Sequence, residues 1–182
     1  MAITKIHAIK STLSNVILYI ENPSKTDGQL LVSGYNVEPQ TAALDFEITA
    51  IMAHKVHHIS CKKTSNLAYH LIQSFSPTEK ITPREAHDLG RKLALEFTEG
   101  KYEFVIATHI DKGHIHNHII INSVSFYDYK NCAQFHTVLH SRSVVSRIGF
   151  AWSTVVCHQR SSKIGPALPY LRTEETHNQQ SH

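Results

Sequence analysis

The chain reads as an α/β sandwich, a central and mainly antiparallel sheet with helices packed on it. Three observations predict that class. Short β-branched segments alternate with longer segments of helical period, in the order strand, helix, strand, helix, strand, helix, which is the pattern of a layered α/β domain. Two further apolar runs, 102–110 and 115–124, are separated only by Asp111-Lys112-Gly113-His114, so they fold back on one another as a β-hairpin. Finally, 182 residues with 41% hydrophobic and 18% charged composition suffice for one domain with a proper core.

Taken in order, residues 3–9 (ITKIHAI) alternate as a strand does. Ser11 or Thr12 is placed to cap a short helix over 13–21, which ends before Pro23. Residues 30–35 make a second short strand. Glu38-Pro39 starts a helix from about 40 to 55, on which Ala43, Phe46, Ile48, Ala50 and Ile51 form an imperfect apolar stripe. His54, His57 and His58 at its end have no carboxylate or cysteine at ligand spacing and read as a solvated helix end or as phosphate contacts. Residues 66–75 (NLAYHLIQSF) alternate again and supply a central strand, bringing His70 or Gln73 toward the hairpin depending on which face is buried.

The next helix has a well-formed start, with Thr82 as N-cap, Pro83 at the first helical position and Glu85 at the capping-box position. It runs to about Thr98, with Ala86, Leu89, Leu93, Ala94 and Phe97 on one face and Gly100 as its stop. Beyond the hairpin, 126–132 reads as a loop anchored at its far end by Phe135, 137–148 as a helix and 151–157 as a last strand. From 160 onward the chain is polar and is expected to be a mobile tail.

The hairpin concentrates the chemistry. Residues 108–122 hold His109, Asp111, His114, His116 and His118. If Ile110 faces Ile115 across a turn in which Gly113 takes a positive φ, His109 faces His116 directly and His118 lies diagonally from His109 on the same face. Cross-strand Cβ atoms are roughly 5 Å apart and diagonal ones about 7–8 Å, so His109, His116 and His118 converge on one ion. The opposite face carries Phe104, Ile106, Ile110, Ile115, Ile119 and Ile121, apolar enough to bury against helices. Three imidazoles with no thiolate suit Mn²⁺, Zn²⁺, Ni²⁺ or Co²⁺, and Mg²⁺ less well. A three-ligand site leaves positions open, as catalytic sites do. His114 lies in the turn and stays outside the ligand set.

Composition excludes several classes. The net charge of +3 is only mildly basic, and fifteen histidines make the surface more positive on partial protonation, which is compatible with a nucleic-acid partner. Cys61, Cys132 and Cys157 are odd in number and widely spaced, so a reducing compartment and buried, inert thiols are expected. No apolar run approaches a membrane span and the N-terminus lacks a signal-peptide pattern, which points to the cytoplasm. No Walker A loop, Rossmann fingerprint or internal repeat is present.

The run H-I-D-K-G-H-I-H-N-H-I-I-I-N resembles the metal motif of the mobilisation relaxases of plasmids and integrative elements, the MobP or VirD2-like branch of the His-hydrophobe-His (HUH) endonucleases. In that pattern the leading His of H-x-D and the final H-x-H bind the ion, which maps to His109, His116 and His118, with Asn117 a polar variant of the middle position. Residues 15–26 (NVILYIENPSKT) are similar to the family's first motif, whose tyrosine is the nucleophile, and residues 69–75 and 81–87 resemble its middle region. The likeness covers about 1–126 and fades after that. It implies an HUH relaxase fold with a split βαβ, palm-like sheet, a nicking domain over 1–159 and a tail over 160–182. Such relaxases are usually longer, so an isolated or truncated catalytic domain is expected.

The resemblance further implies a transesterification in which the Tyr19 hydroxyl attacks a phosphodiester of single-stranded DNA at an origin of transfer, leaving a 5′-phosphotyrosine and a free 3′-hydroxyl. The expected cofactor is a divalent ion, Mn²⁺ or Mg²⁺ first and Zn²⁺, Ni²⁺ or Co²⁺ after them. Relaxosome accessory proteins and a coupling protein are the expected protein partners. A phenol with a pKa of about 10 needs activation, and Asp111 is the candidate base or the group that orients a ligand histidine. Without the motif, Tyr19 is not distinguished from Tyr35, Tyr69 or Tyr102. Lys25 and Arg84 are candidate phosphate contacts, and Gln73 and Asn122 candidates to hold DNA or orient the histidines. Two other readings use the same histidines: a metal-dependent hydrolase acting through bound water, and a non-catalytic DNA-binding or replication-initiator-like module.

Overall fold

The computed structural model of the chain describes residues 3–58 and 65–131. Its strands are β1 (Ile3–Ile9), β2 (Val32–Tyr35), β3 (Ala68–Ser74), β4 (Phe104–His109) and β5 (His116–Asn122), and its helices α1 (Leu13–Ile20), α2 (Ala42–His57, entered through a 3₁₀ turn at Pro39–Thr41) and α3 (Pro83–Thr98). The strands form one sheet in the order β1-β3-β5-β4-β2, with every neighbouring pair antiparallel. The β4–β5 hairpin therefore occupies the middle, as expected.

Helices cover both faces of that sheet. On one, Ile17 and Ile20 of α1 and Phe46 of α2 pack on Val105, Ala107 and Ile120. On the other, Leu93 and Ala94 of α3 pack on Phe104, Ile106, Ile119 and Ile121. Each buried Val, Leu, Ile or Phe side chain among these contributes about 1.5–3 kcal/mol. Period two in the central strands thus assigns odd residues of β4 and even residues of β5 to the α1/α2 side, and their neighbours to the α3 side.

The capping box at Thr82 and Glu85 is formed in both directions. At α1 the expectation fails, because Thr12 occupies the N-cap position with φ 55 and its side chain makes no capping bond. The stripe expected on α2 is also shifted. Ala42, Phe46, Thr49 and Ala53 face inward while Ile48 and Ile51 are 49% and 47% exposed, because the small residues let α2 lie close and Thr49 Oγ1 donates to buried Glu103 Oε1 at 2.8 Å.

The hairpin turn departs from the expected tight form. The ladder closes at His109 opposite His116, but Ile110 and Ile115 do not pair: Ile110 N–H donates to the Lys25 carbonyl (2.9 Å) and the Ile115 carbonyl accepts from Phe75 N–H (3.0 Å). The connection is therefore longer than four residues, and Gly113 is not among the glycines at positive φ. Both of these backbone groups point outward from the hairpin, whose ladder ends at His109 and His116.

No helix among the described residues is long and apolar enough to cross a membrane. The helix expected over 137–148, the strand over 151–157, the anchor Phe135, the tail from 160 and all three cysteines lie outside the described residues.

Candidate metal centre

His109 ends β4, His116 begins β5 and His118 follows it two residues on, so strand alternation and the 109–116 register put all three on the α1/α2 face. All are buried, and one ring nitrogen from each lies within 4.8 Å of one from each of the others. Ring centroids are 4.4 Å apart for His109 and His118, 5.3 Å for His109 and His116, and 5.0 Å for His116 and His118. Metal–nitrogen bonds of about 2.0–2.1 Å bring ligand nitrogens to roughly 3.4 Å from one another in a tetrahedral site, a small closure from this arrangement.

Each ring has its other nitrogen engaged. His109 Nε2–H donates to the Ile20 carbonyl at 2.8 Å, and His116 Nδ1–H to the His114 carbonyl at 3.3 Å. His118 Nδ1 lies 2.8 Å from His70 Nε2. For His109 and His116 such bonds fix tautomer and ring orientation and leave Nδ1 of His109 and Nε2 of His116 with lone pairs to offer, while His118 keeps Nε2 outside its bond to His70. Burial, followed by the neighbouring His109, pushes His118 down to about 2. Burial likewise lowers His109 and His116, against the raising effect of the carbonyls they bond. Neutral imidazoles with free lone pairs are the form a divalent ion needs, so the donor set fits a borderline divalent ion.

Helix α1 delivers the tyrosine. Ile17 and Ile20 bury its inner face, and Ile20 is also the residue whose carbonyl anchors His109. Tyr19, one position earlier, is therefore held at the rim, 52% exposed. Its ring centroid is 6.1 Å from that of His109 and 6.3 Å from that of His118. Lys25 Nζ stands 3.9 Å over the Tyr19 ring centroid, a cation–π arrangement that places positive charge beside the phenol. Asp111 lies in the exposed connection after β4, and its charge acts on His109, raising that residue's affinity for a proton.

The remaining sequence candidates are elsewhere. Arg84 is exposed in the first turn of α3, on the opposite side of the sheet from the histidines. Gln73 is buried on that same opposite face and accepts from Asn117 Nδ2 at 2.9 Å. Asn122 is buried at the far end of β5 from His116, where Nδ2 donates to Glu103 and Oδ1 accepts from Val124 N–H. Gln73 and Asn122 are thus interior groups hydrogen-bonded to protein partners.

Two further residues lie beside these groups, one against His118 and one next in sequence to Ile20. His70 was placed only as one of two possibilities on its strand, since nothing local says that β3 pairs with β5. Glu21 follows the Tyr19 helix as its C-cap, is buried, and its Oε1 has no hydrogen-bond partner among the described residues. Burial raises its carboxyl above the ordinary range. A buried acid next to an Asn-Pro break was the available signal.

Residues 19–149 match the family described as "Relaxase: MobA/VirD2-like, nuclease domain". The chain is 39% identical to the group II intron-interrupted relaxase LtrB of Lactococcus lactis subsp. cremoris, over 65% of this chain and 24% of that protein. It is 34% identical to the protein rlx of Staphylococcus aureus, over 77% of this chain and 38% of that protein. The chain thus spans about a quarter to two fifths of the length of these relatives.

Proposed function

The chain belongs to the MobA/VirD2-like relaxases, and from that premise we propose that it nicks single-stranded DNA at an origin of transfer, with Tyr19 as nucleophile. The bond from Tyr19 Oη to phosphorus forms as the phosphorus–O3′ bond breaks. The 5′ end is left as a phosphotyrosine, and the departing 3′ oxygen takes a proton. The phosphoester energy is kept in the covalent link, so the strand can be rejoined and a transfer event can begin and end on one protein.

The observation that carries this reading is the pairing of a solvent-accessible Tyr19 with the buried histidine face, ring centroids 6.1 and 6.3 Å away. His109, His116 and His118 would hold a divalent ion, Mn²⁺ or Mg²⁺ in the first instance. When bound there, it supplies Lewis-acid stabilisation of charge on the scissile phosphate. Lys25 adds a fixed positive charge against Tyr19 and the backbone that approaches it. Asp111 takes the phenol proton or orients His109. Arg84 contacts phosphates farther along the strand. The DNA, the relaxosome accessory proteins and the coupling protein are the proposed partners.

The test is to incubate the purified chain with Mn²⁺ and a random single-stranded DNA library, denature in SDS and assay for attached DNA. An adduct formed by the wild type and lost in Tyr19→Phe supports the proposal. Strand cleavage with no adduct would point instead to hydrolysis by bound water. Full nicking by Asp111→Asn would remove Asp111 from the proton step.

A further inference from the structure

Among the histidine rings of the site, His118 is held differently from the other two. His109 and His116 give a proton to backbone carbonyls, which can only accept. His118 Nδ1 instead shares a proton with another imidazole, Nε2 of His70 on β3, at 2.8 Å with ring centroids 5.0 Å apart. The sheet order makes this contact: β3 pairs with β5, Ile72 lies directly opposite His118, and His70 is its diagonal neighbour on the same face.

Two arrangements of that shared proton exist, with opposite consequences. If His118 carries it on Nδ1 and His70 Nε2 accepts, His118 Nε2 keeps a lone pair directed at His109 and His116. If His70 Nε2 carries it, a neutral His118 must hold its own proton on Nε2 and cannot ligate there. We propose that His70 is a positioning residue for the metal centre, holding its own proton on Nδ1 and accepting from His118, so that His118 presents Nε2 to the ion. This rests on the reading that His109, His116 and His118 bind a divalent ion. His70 also faces His7 of β1 directly. His7 is exposed.

Removing a partner of this kind weakens metal binding by about 10–100-fold. The experiment is calorimetric titration of the full chain with Mn²⁺, for the wild type, His70→Phe, His70→Gln and His116→Ala. Phe keeps ring volume and cannot accept, whereas the Gln Oε1 can. His70→Phe should lose about 10–100-fold in affinity and His70→Gln should recover most of it. Histidine ¹⁵N correlation spectra of the metal-free wild type should report His118 protonated on Nδ1, a readout that stands if His70→Phe does not fold. Wild-type affinity in His70→Phe, or His118 protonated on Nε2, would overturn the proposal. If His116→Ala abolishes binding while His70→Phe does not, only the role of His70 falls. If the wild type binds no Mn²⁺, the metal centre falls with it.

Discussion

The two faces of the β4–β5 hairpin are built from alternate residues of the same strands and do opposite things. On the α1/α2 face, His109, His116 and His118 each use one ring nitrogen for a structural bond and leave the other available. On the α3 face, polar groups close on one another. Asn117 Nδ2 donates to Gln73 Oε1 (2.9 Å) and to the Ala86 carbonyl (2.7 Å), while its Oδ1 accepts from Thr108 Oγ1 (2.7 Å). His87 bridges Thr108 (2.9 Å) and Ser33 (2.7 Å), and Arg91 donates to Ser33 and to the Gly34 carbonyl. Asn117 sits between His116 and His118 in sequence, so a locked side chain on one face fixes where those two rings point on the other. The difference teaches that the reactive face is held by polar satisfaction behind it as much as by its own contacts.

The largest way to break this comparison is on the reactive side. His116→Ala removes one of the three proposed metal-binding rings and should weaken Mn²⁺ binding beyond the roughly 100-fold bound for a supporting residue, with circular dichroism unchanged. His116's side chain makes one long bond to a backbone carbonyl and belongs to neither apolar core cluster, which is why the fold survives. Asn117→Leu attacks the locked side. It strands Gln73 Oε1 in the interior, at about 1–3 kcal/mol, and takes one hydrogen bond each from the Ala86 carbonyl and from Thr108, which keeps His87. A loss of about 3 kcal/mol in urea unfolding is expected, with Mn²⁺ affinity falling as a secondary effect; unchanged stability would mean the network does not hold the hairpin.

The hairpin and its histidines were legible because a strand's period is local: once His109 opposes His116, the position of His118 follows. The start of α3 was legible for the same reason, since Thr82, Pro83 and Glu85 act within one turn. What was not legible depends on partners distant in sequence. His70 reaches the site only because β3 lies beside β5, and Gln73 is turned away from it by that same pairing. The inner face of α2 was misread because Thr49 finds Glu103, fifty-four residues on. The connection at Gly113 is longer than the tight turn expected, and Lys25 and Phe75, distant in sequence, bond Ile110 and Ile115 from outside the hairpin. The locked face was invisible because its members come from β2, β3, α3, β4 and β5 at once.

Acid sharpens the comparison with a smaller effect. Burial first, and Arg91 next, push His87 down to about 4 from 6.5. For a base whose folded value lies below its unfolded one, the unfolded chain binds more protons between those values. The stability from a neutral His87 is therefore full above about pH 6.5 and lost as pH falls toward 4. The loss from about pH 7 to about pH 4.5 is roughly 2 kcal/mol. It should appear as a steeper pH dependence of unfolding in the wild type than in His87→Gln. Equal slopes would place the titration elsewhere.

The smallest expected effect tests how closely α3 must approach. Gly90 lies mid-helix, where alanine would gain about 1 kcal/mol by propensity. A Cβ there would run into Asn117 Nδ2 and Ile106 Cδ1. Collision outweighs propensity, and Gly90→Ala should destabilise by about 1–2 kcal/mol in thermal unfolding; a gain would mean that α3 has room to spare.

The most direct test of the account is to find where DNA is attached. The SDS-stable adduct formed with Mn²⁺ would be trimmed by nuclease, digested with trypsin and sequenced by tandem mass spectrometry. Cleavage after Lys10 and Lys25 releases residues 11–25, in which Tyr19 is the only tyrosine. The account predicts a phosphonucleotide on that peptide, at Tyr19. A nucleotide on Tyr35 or Tyr127, or cleaved DNA with no modified peptide, would contradict it.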